Sequence, residues 1–152
     1  MIVIIPLGGT GQRFKNNGYK KPKALIKVFG IPLIFHLINS LNITENTTIC
    51  IPYNKEYKSY RFEDLLKNMY ANINFVFIQL GESTRGAAET LHIAANYLNN
   101  TNSNDEPVIS VDGDNFFGED ILSLWNFQDS VITFEENDSE PIYSYVHIDD
   151  QH

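Results

Sequence analysis

The apolar positions of the chain fall into short runs separated by polar, glycine-rich or proline-containing breaks. Ile2 to Ile5 is a β-branched run ended by Pro6 and three glycines, which predicts a strand. Pro32 then opens a stretch in which Leu33, Ile34, Leu37, Ile38 and Leu41 share one helical face. Thr47 to Ile51 reads as a second strand, Tyr57 to Met69 as a helix with Leu65, Leu66 and Met69 inward, and Ile73 to Ile78 as a third strand. After TRG, the residues Ala87, Leu91, Ala94, Ala95 and Leu98 mark another amphipathic helix. The polar stretch NNTNSNDE follows as a loop, and then PVISV, Pro107 to Val111, as a fourth buried strand. Phe117 to Phe127 predicts a short helix and Val131 to Phe134 a strand, while Ile142 to Ile148 alternates as a further strand. No internal repeat is visible.

Strands alternating with helices at this spacing predict an α/β fold with a mainly parallel sheet covered by helices on both faces. Ligands in such sheets bind at the carboxyl ends of the strands, near a switch in strand order. The two most polar, glycine-rich junctions follow Ile5 and Val111. Both fall at such ends, so they are expected to face each other across one cleft. A chain of 152 residues is expected to form one domain, burying roughly two thirds of the surface its unfolded form exposes.

Charge changes this picture by dividing it. The net charge is −8, yet all 11 Lys and Arg lie between Arg13 and Arg85, and no acidic residue precedes Glu45. After Arg85 there is no Lys or Arg, while acids thicken from Asp105 to Asp150. This asymmetry suggests an anion bound near the N-terminal segment and a cation near the C-terminal one. The acidic balance argues against a general nucleic-acid binder. Cys50, the one cysteine, excludes an internal disulfide framework and a cysteine-cluster zinc site, and reads as core in a reducing compartment. MIVII is too short for a secretory apolar region, and no apolar run approaches the roughly 20 residues of a membrane span. The expected setting is soluble and cytoplasmic, where the sequons at Asn42, Asn46, Asn99 and Asn137 carry no weight.

At the first junction, PLGGTGQRF, the glycines Gly8, Gly9 and Gly11 let backbone N–H groups approach an anion. Arg13 can grip phosphate oxygens bidentately and Lys23 adds a point charge. Two better-known phosphate motifs fail: no Gly-Lys-Ser/Thr follows, and Phe14 stands where a dinucleotide fingerprint needs glycine. On spacing alone the stretch is also compatible with a flexible glycine loop bearing solvated lysines. At the second junction, VISVDGDNFFGEDI, Asp112 and Asp114 flank Gly113, so two carboxylates can approach one hard cation such as Mg²⁺. Phe116 and Phe117 stand where a calcium loop needs an oxygen ligand and then glycine, which excludes an EF-hand. The bland alternative is an acidic turn capping the helix that follows.

LGGTGQRF, KPKALIKVFGIPLIFHLI, STRGAAETL and SVDGDNFF, in that order, resemble the successive motifs of the sugar-phosphate nucleotidyltransferases. Those motifs are a glycine-rich G-x-G-x-R signature, a Pro-Lys pair, a Gly-Ala base loop and a metal-binding Asp after the fourth strand. GYKKPKALI and the closing IYSYVHID are similar to a branch of small sugar or capsule-type members. The resemblance implies a Rossmann-like three-layer fold and transfer of a nucleotidyl group from an NTP to a sugar phosphate, with Mg²⁺ and release of pyrophosphate.

It also implies roles. Leu7, Gly8, Gly9 and Gly11 would wrap the triphosphate, Arg13 would stabilise the leaving pyrophosphate, and Lys23 would orient the attacking phosphate or the α-phosphate. Gly86 and Ala87, with Thr84, would line the base pocket, Gly86 because a side chain would obstruct the nucleotide. Asp114 would hold the metal with Asp112 as its partner. No protein nucleophile is needed, in keeping with the lack of a Ser/His/Asp or Cys/His constellation. His36 and His92 read as structural, Trp125, Phe127 and Phe134 as core, and Lys15, Lys20 and Lys21 as a solvated loop.

One departure stands out. Relatives of this kind run through more sheet and a sugar-binding region and supply a second metal-binding acid late in the chain, whereas this sequence stops at DDQH. The expectation is one incomplete domain over residues 1–152, with a second copy or a partner segment completing the site. Three rivals stay open: a nucleotide-sugar glycosyltransferase, a cytidylyltransferase acting on a non-sugar phosphate, and an NTP-binding module without turnover.

Overall fold

The structure, a computed structural model, describes residues 1–101, 106–133, 135 and 146. Its strands are β1 (Ile2–Ile4), β2 (Lys27–Val28), β3 (Ile31–Pro32), β4 (Thr48–Asn54), β5 (Asn74–Leu80) and β6 (Val108–Ser110). Its helices are α1 (Gln12–Asn16), α2 (Leu33–Ser40), α3 (Phe62–Met69), α4 (Ala87–Asn100) and α5 (Ile121–Leu124), with 3-10 turns at Lys23–Leu25 and Lys55–Tyr60.

Successive residues of a strand point to opposite faces, so an unbroken apolar run such as Ile2 to Ile5 needs cover on both sides. It has that cover. Val3, Ile5, Ile49 and Ile51 pack with Ile34, Leu37 and Ile38 of α2 and with Phe62 and Leu66 of α3. Ile2, Ile4 and Cys50 face the other way, onto Ala94 and Leu98 of α4. Each fully buried Ile or Val contributes about 1.5–3 kcal/mol relative to leaving it in water. The result is a three-layer α/β fold.

All pairings in the central sheet are parallel, in the order β5-β4-β1-β6. The chain runs outward from β1 through β4 to β5, then crosses back to place β6 on the other side of β1. The order therefore reverses between β1 and β6, and the two junctions singled out in the sequence leave the sheet side by side.

Several expectations are corrected. The helix expected over Tyr57–Met69 is a 3-10 turn followed by α3, broken at Arg61 where φ is 50°. Its inward stripe is Phe62 and Leu66, whereas Leu65 and Met69 are exposed, because Phe62 joins an aromatic cluster with Tyr53, Tyr57 and Phe77. The helix expected over Phe117–Phe127 shrinks to α5, whose start is fixed by the Asp120 carboxylate accepting from Leu122 and Ser123 N–H. Phe127 is exposed rather than core and Trp125 is half-buried. Val108 of the fourth main-sheet strand is 44% exposed, since no described strand covers that edge. Residues 131–133 form no strand, while Phe134 and all of 142–148 except Val146 lie outside the described residues.

Two elements were not expected. A short helix, α1, begins directly after Gly11, and a hairpin of β2 and β3 turns through Phe29 and Gly30 at φ 50° and 83°. His36 Nε2 lies 2.9 Å from the Val28 carbonyl and ties α2 to that hairpin, a structural role. Among the described residues no helix is long and apolar enough to cross a membrane.

Candidate active site

The first wall of the site grows out of β1. Past Ile4 the chain keeps its parallel register with β4: Ile5 N–H donates to Cys50 O, Leu7 N–H to Pro52 O, and Asn54 N–H to Leu7 O. Leu7 is thereby held in the sheet and Gly8 is delivered at its carboxyl edge. Gly8 is buried, and a Cβ there would collide with the Thr90 hydroxyl and lie 2.6 Å from that of Thr84. Only glycine lets this loop pass so close. Gly11 turns the chain at φ 63° and starts α1, whose Arg13 side chain is exposed and makes no ion pair among the described residues.

The second wall follows β5. Thr84 Oγ1 and Thr90 Oγ1 are 2.7 Å apart, and the Thr90 hydroxyl donates to Gly86 O at 3.1 Å, folding the loop onto the first turn of α4. Glu89 accepts from Arg85 N–H at 2.6 Å and pairs with the Arg85 guanidinium. That N–H, with the guanidinium's help, holds the Glu89 carboxyl below its ordinary value. Gly86 differs from Gly8: its φ of 172° is ordinary extended backbone, and a Cβ there would meet nothing within 4 Å. Asn54, at the end of β4, bridges the two walls by donating to Gly8 O at 3.3 Å and to Ser83 Oγ at 3.1 Å.

The third wall follows β6. Val111 N–H donates to Ile4 O, extending the parallel pairing, and Asn115 N–H donates to Asp112 O across the next turn. Gly113 is buried where a Cβ would collide with Leu7 Cδ2, so the turn rests on the first wall and lifts Asp112 and Asp114 to the surface on either side. The Asp114 carboxylate forms an ion pair with the Lys23 ammonium, each side chain about a third exposed. Lys23 follows the buried Pro22, and its ammonium lies 5.4 Å from the Phe14 ring centroid. Beneath it, Ala24 N–H donates to the Tyr57 hydroxyl at 3.4 Å. Burial pushes the Tyr57 phenol up to about 12, the Ala24 N–H opposes the rise, and the charges of Glu56 and Asp114 add to it. It therefore stays protonated at neutral pH.

Together the walls enclose a cleft of about 210 Å³. Of the sequence-predicted residues, Leu7, Gly8, Gly9 and Gly11 line it from the first wall, Gly86 and Ala87 from the second, and Lys23, Asp112 and Asp114 from the third side. Thr84 stands behind this lining, hydrogen-bonded to Thr90, and Arg13 lies outside it on α1. Sequence reasoning missed Tyr57, Thr90 and Asn54. Thr90 carried a signal, being a polar residue four before Ala94 and eight before Leu98 on the buried stripe of its helix. So did Asn54, a buried amide ending an apolar strand at the ligand-bearing edge.

Among the described residues no group of three metal-ligating side chains converges. Two carboxylates on one cleft, one already holding a cation in the form of an ammonium, do suit Mg²⁺, which commonly takes one or two carboxylates and completes its shell with water and phosphate.

Comparisons with known proteins bear on this cleft. The chain is 24% identical to the bifunctional protein GlmU of Methanocaldococcus jannaschii over 99% of its own length and 34% of that protein's. It is 25% identical to the GlmU of Methanococcus vannielii over 86% of its length and 28% of that protein's. It thus spans about a third of the curated relatives it matches. A crystal structure of a nucleoside-diphosphate-sugar pyrophosphorylase from Vibrio cholerae RC9 superposes with a TM-score of 0.65 at 24% identity, covering 80% of this chain and 50% of that one, a likeness of fold. The family model for nucleotidyl transferases matches residues 2–151, and by that match the chain belongs to the nucleotidyl transferase family.

Proposed function

We propose that this cleft binds an NTP and a sugar phosphate and carries nucleotidyl transfer between them. A phosphate oxygen of the sugar phosphate attacks the α-phosphorus of the NTP, a new P–O bond forms, the bond to the α–β bridging oxygen breaks, and pyrophosphate leaves. The observation that supports this best is the meeting of a glycine-lined wall, one lysine and two carboxylates in one cleft at the strand-order switch. The name of the structural neighbour, a nucleoside-diphosphate-sugar pyrophosphorylase, points to sugar substrates.

In this reading Leu7, Gly8, Gly9 and Gly11 present backbone to the triphosphate, and Lys23 aligns the reacting phosphate. Arg13, outside the lining, reaches from α1 toward the leaving pyrophosphate. Thr84, Gly86 and Ala87 form the base pocket: a Cβ at 86 would meet nothing of the chain within 4 Å, which leaves open space there for a base. Asp114 and Asp112 would hold Mg²⁺, which when bound supplies positive charge to the crowded, anionic transition state. The remaining catalysis is alignment and neutralisation, and no side chain has to act as a nucleophile.

The test is pyrophosphate release by the purified chain with Mg²⁺, the common nucleoside triphosphates and a panel of sugar 1-phosphates, with phosphocholine alongside. Release with one NTP and one sugar phosphate is expected. Release with phosphocholine alone would move the acceptor to a non-sugar phosphate. If no pair releases pyrophosphate but an NTP raises thermal stability, the chain is a binding module, and if neither happens the proposed function is wrong.

A further inference from the structure

Among the described residues lining the cleft there is one cation, Lys23, and there are two anions, Asp112 and Asp114. The cation is engaged by one of those anions. Its base is fixed: Pro22 is buried, Ala24 N–H is bound by Tyr57, and the Lys23 Cβ packs near Gly11. Its side chain is about a third exposed, with the ammonium 5.4 Å from the Phe14 ring centroid. Asp114 is likewise anchored from behind, through the buried Gly113 against Leu7. An anionic ligand in this cleft needs the ammonium and a divalent cation needs the carboxylate, yet in the free chain each satisfies the other.

We propose that the Lys23–Asp114 pair is a charge lock that couples the two ligand types, so that anion binding to Lys23 releases Asp114 for the cation and cation binding to Asp114 releases Lys23 for the anion. The proposal rests on reading the cleft as a nucleotide and metal site, and it adds an order to that reading. A divalent cation binds the nucleotide-free chain weakly because it must displace an ammonium already in place. A metal-free triphosphate binds weakly because it must draw Lys23 off a carboxylate and then face that carboxylate bare. Either ligand removes the other's competitor, and the coupling is reciprocal because both act on one pair. Charge repulsion alone also favours a cation when Lys23 is lost and an anion when Asp114 is lost, so the lock is read as the excess over an equal-charge substitution at a residue outside the pair.

The two arms are measured without turnover. Mn²⁺ binding to nucleotide-free protein is followed by the loss of the free-ion paramagnetic resonance signal, in wild type, Lys23→Met and the equal-charge control Lys21→Met. NTP binding in EDTA is followed calorimetrically in wild type, Asp114→Asn and the control Asp112→Asn, with thermal unfolding run on each variant. Lys23→Met should tighten Mn²⁺ binding at least about fivefold beyond Lys21→Met, and Asp114→Asn should tighten metal-free NTP binding by a similar factor beyond Asp112→Asn, the lower end of ordinary coupling. Equal Mn²⁺ affinities in Lys23→Met and Lys21→Met, or equal metal-free NTP affinities in Asp114→Asn and Asp112→Asn, would overturn the lock. If wild type releases pyrophosphate while those affinities stay equal, the lock falls and the function stands. If neither NTP nor Mn²⁺ binds any form, both fall.

Discussion

The floor and the rim of the cleft use the same residue type for opposite reasons. On the floor, Gly8 and Gly113 are buried and a Cβ at either would strike a neighbouring side chain, so the fold itself demands glycine. On the rim, Gly9 and Gly86 are exposed and a Cβ at either would meet nothing of the chain within 4 Å. Arg13, exposed on α1 outside the cleft lining and without an ion-pair partner among the described residues, joins the rim only under the proposed function. What packing explains on the floor it leaves unexplained on the rim, and under the proposed function that separation sorts residues that build the site from residues that would serve a ligand.

The sharpest way to break this comparison is at Arg13. Arg13→Ala should leave the melting temperature unchanged and lower pyrophosphate release roughly 100- to 1,000-fold, the usual loss when one stabiliser of developing charge is removed. Activity at the wild-type level would take Arg13 off the rim and out of the site. Next in size is the floor. Gly8→Val should cost about 3 kcal/mol of stability in urea unfolding, since the added side chain meets the hydrogen-bonded hydroxyls of Thr84 and Thr90. A stability matching wild type would mean that the first wall does not pass so close to α4. The smallest effect is expected at the opposite rim, where Gly86→Val should weaken NTP binding by about tenfold, some 1.4 kcal/mol, without a change in unfolding midpoint. Should Gly86→Val unfold the protein instead, floor and rim would no longer be distinct.

Much of this arrangement was legible in the sequence, and unevenly so. The runs around Ile2–Ile5 and Ile49–Ile51 could be placed because strands buried on two faces carry apolar residues at every position, a signal that survives without knowing the neighbours. The α3 stripe was misjudged because Leu65, Leu66 and Met69 suggest one face, while the aromatic cluster around Phe62 decides the rotation of the helix. That cluster joins residues from four elements, and local periodicity cannot see it. Beyond Phe116 burial is uneven: Ile121 and Leu122 are buried whereas Phe116, Leu124 and Phe127 are exposed, so reading Phe127 as core and 117–127 as one helix overstated the regular structure there.

The site divided in the same way. Gly8, Gly11, Asp112 and Asp114 announced themselves by residue type at strand ends, where glycine and paired carboxylates are conspicuous. Tyr57, Thr90 and Asn54 did not, because each acts by position: an ordinary side chain made notable by the loops that converge on it. The Lys23–Asp114 pair lay hidden for a related reason, its members being 91 positions apart in the chain.

Asn54 spans two loops that belong to different crossovers of the sheet. Its buried carboxamide is therefore a natural spectroscopic reporter: with ¹⁵N labelling, the two side-chain protons sit in different surroundings, one directed at Gly8 O and the other at Ser83 Oγ. A ligand settling against the glycine wall would perturb the first resonance, and one entering the pocket beside α4 the second. A single amide in the heteronuclear spectrum thus distinguishes occupancy at the two ends of the cleft.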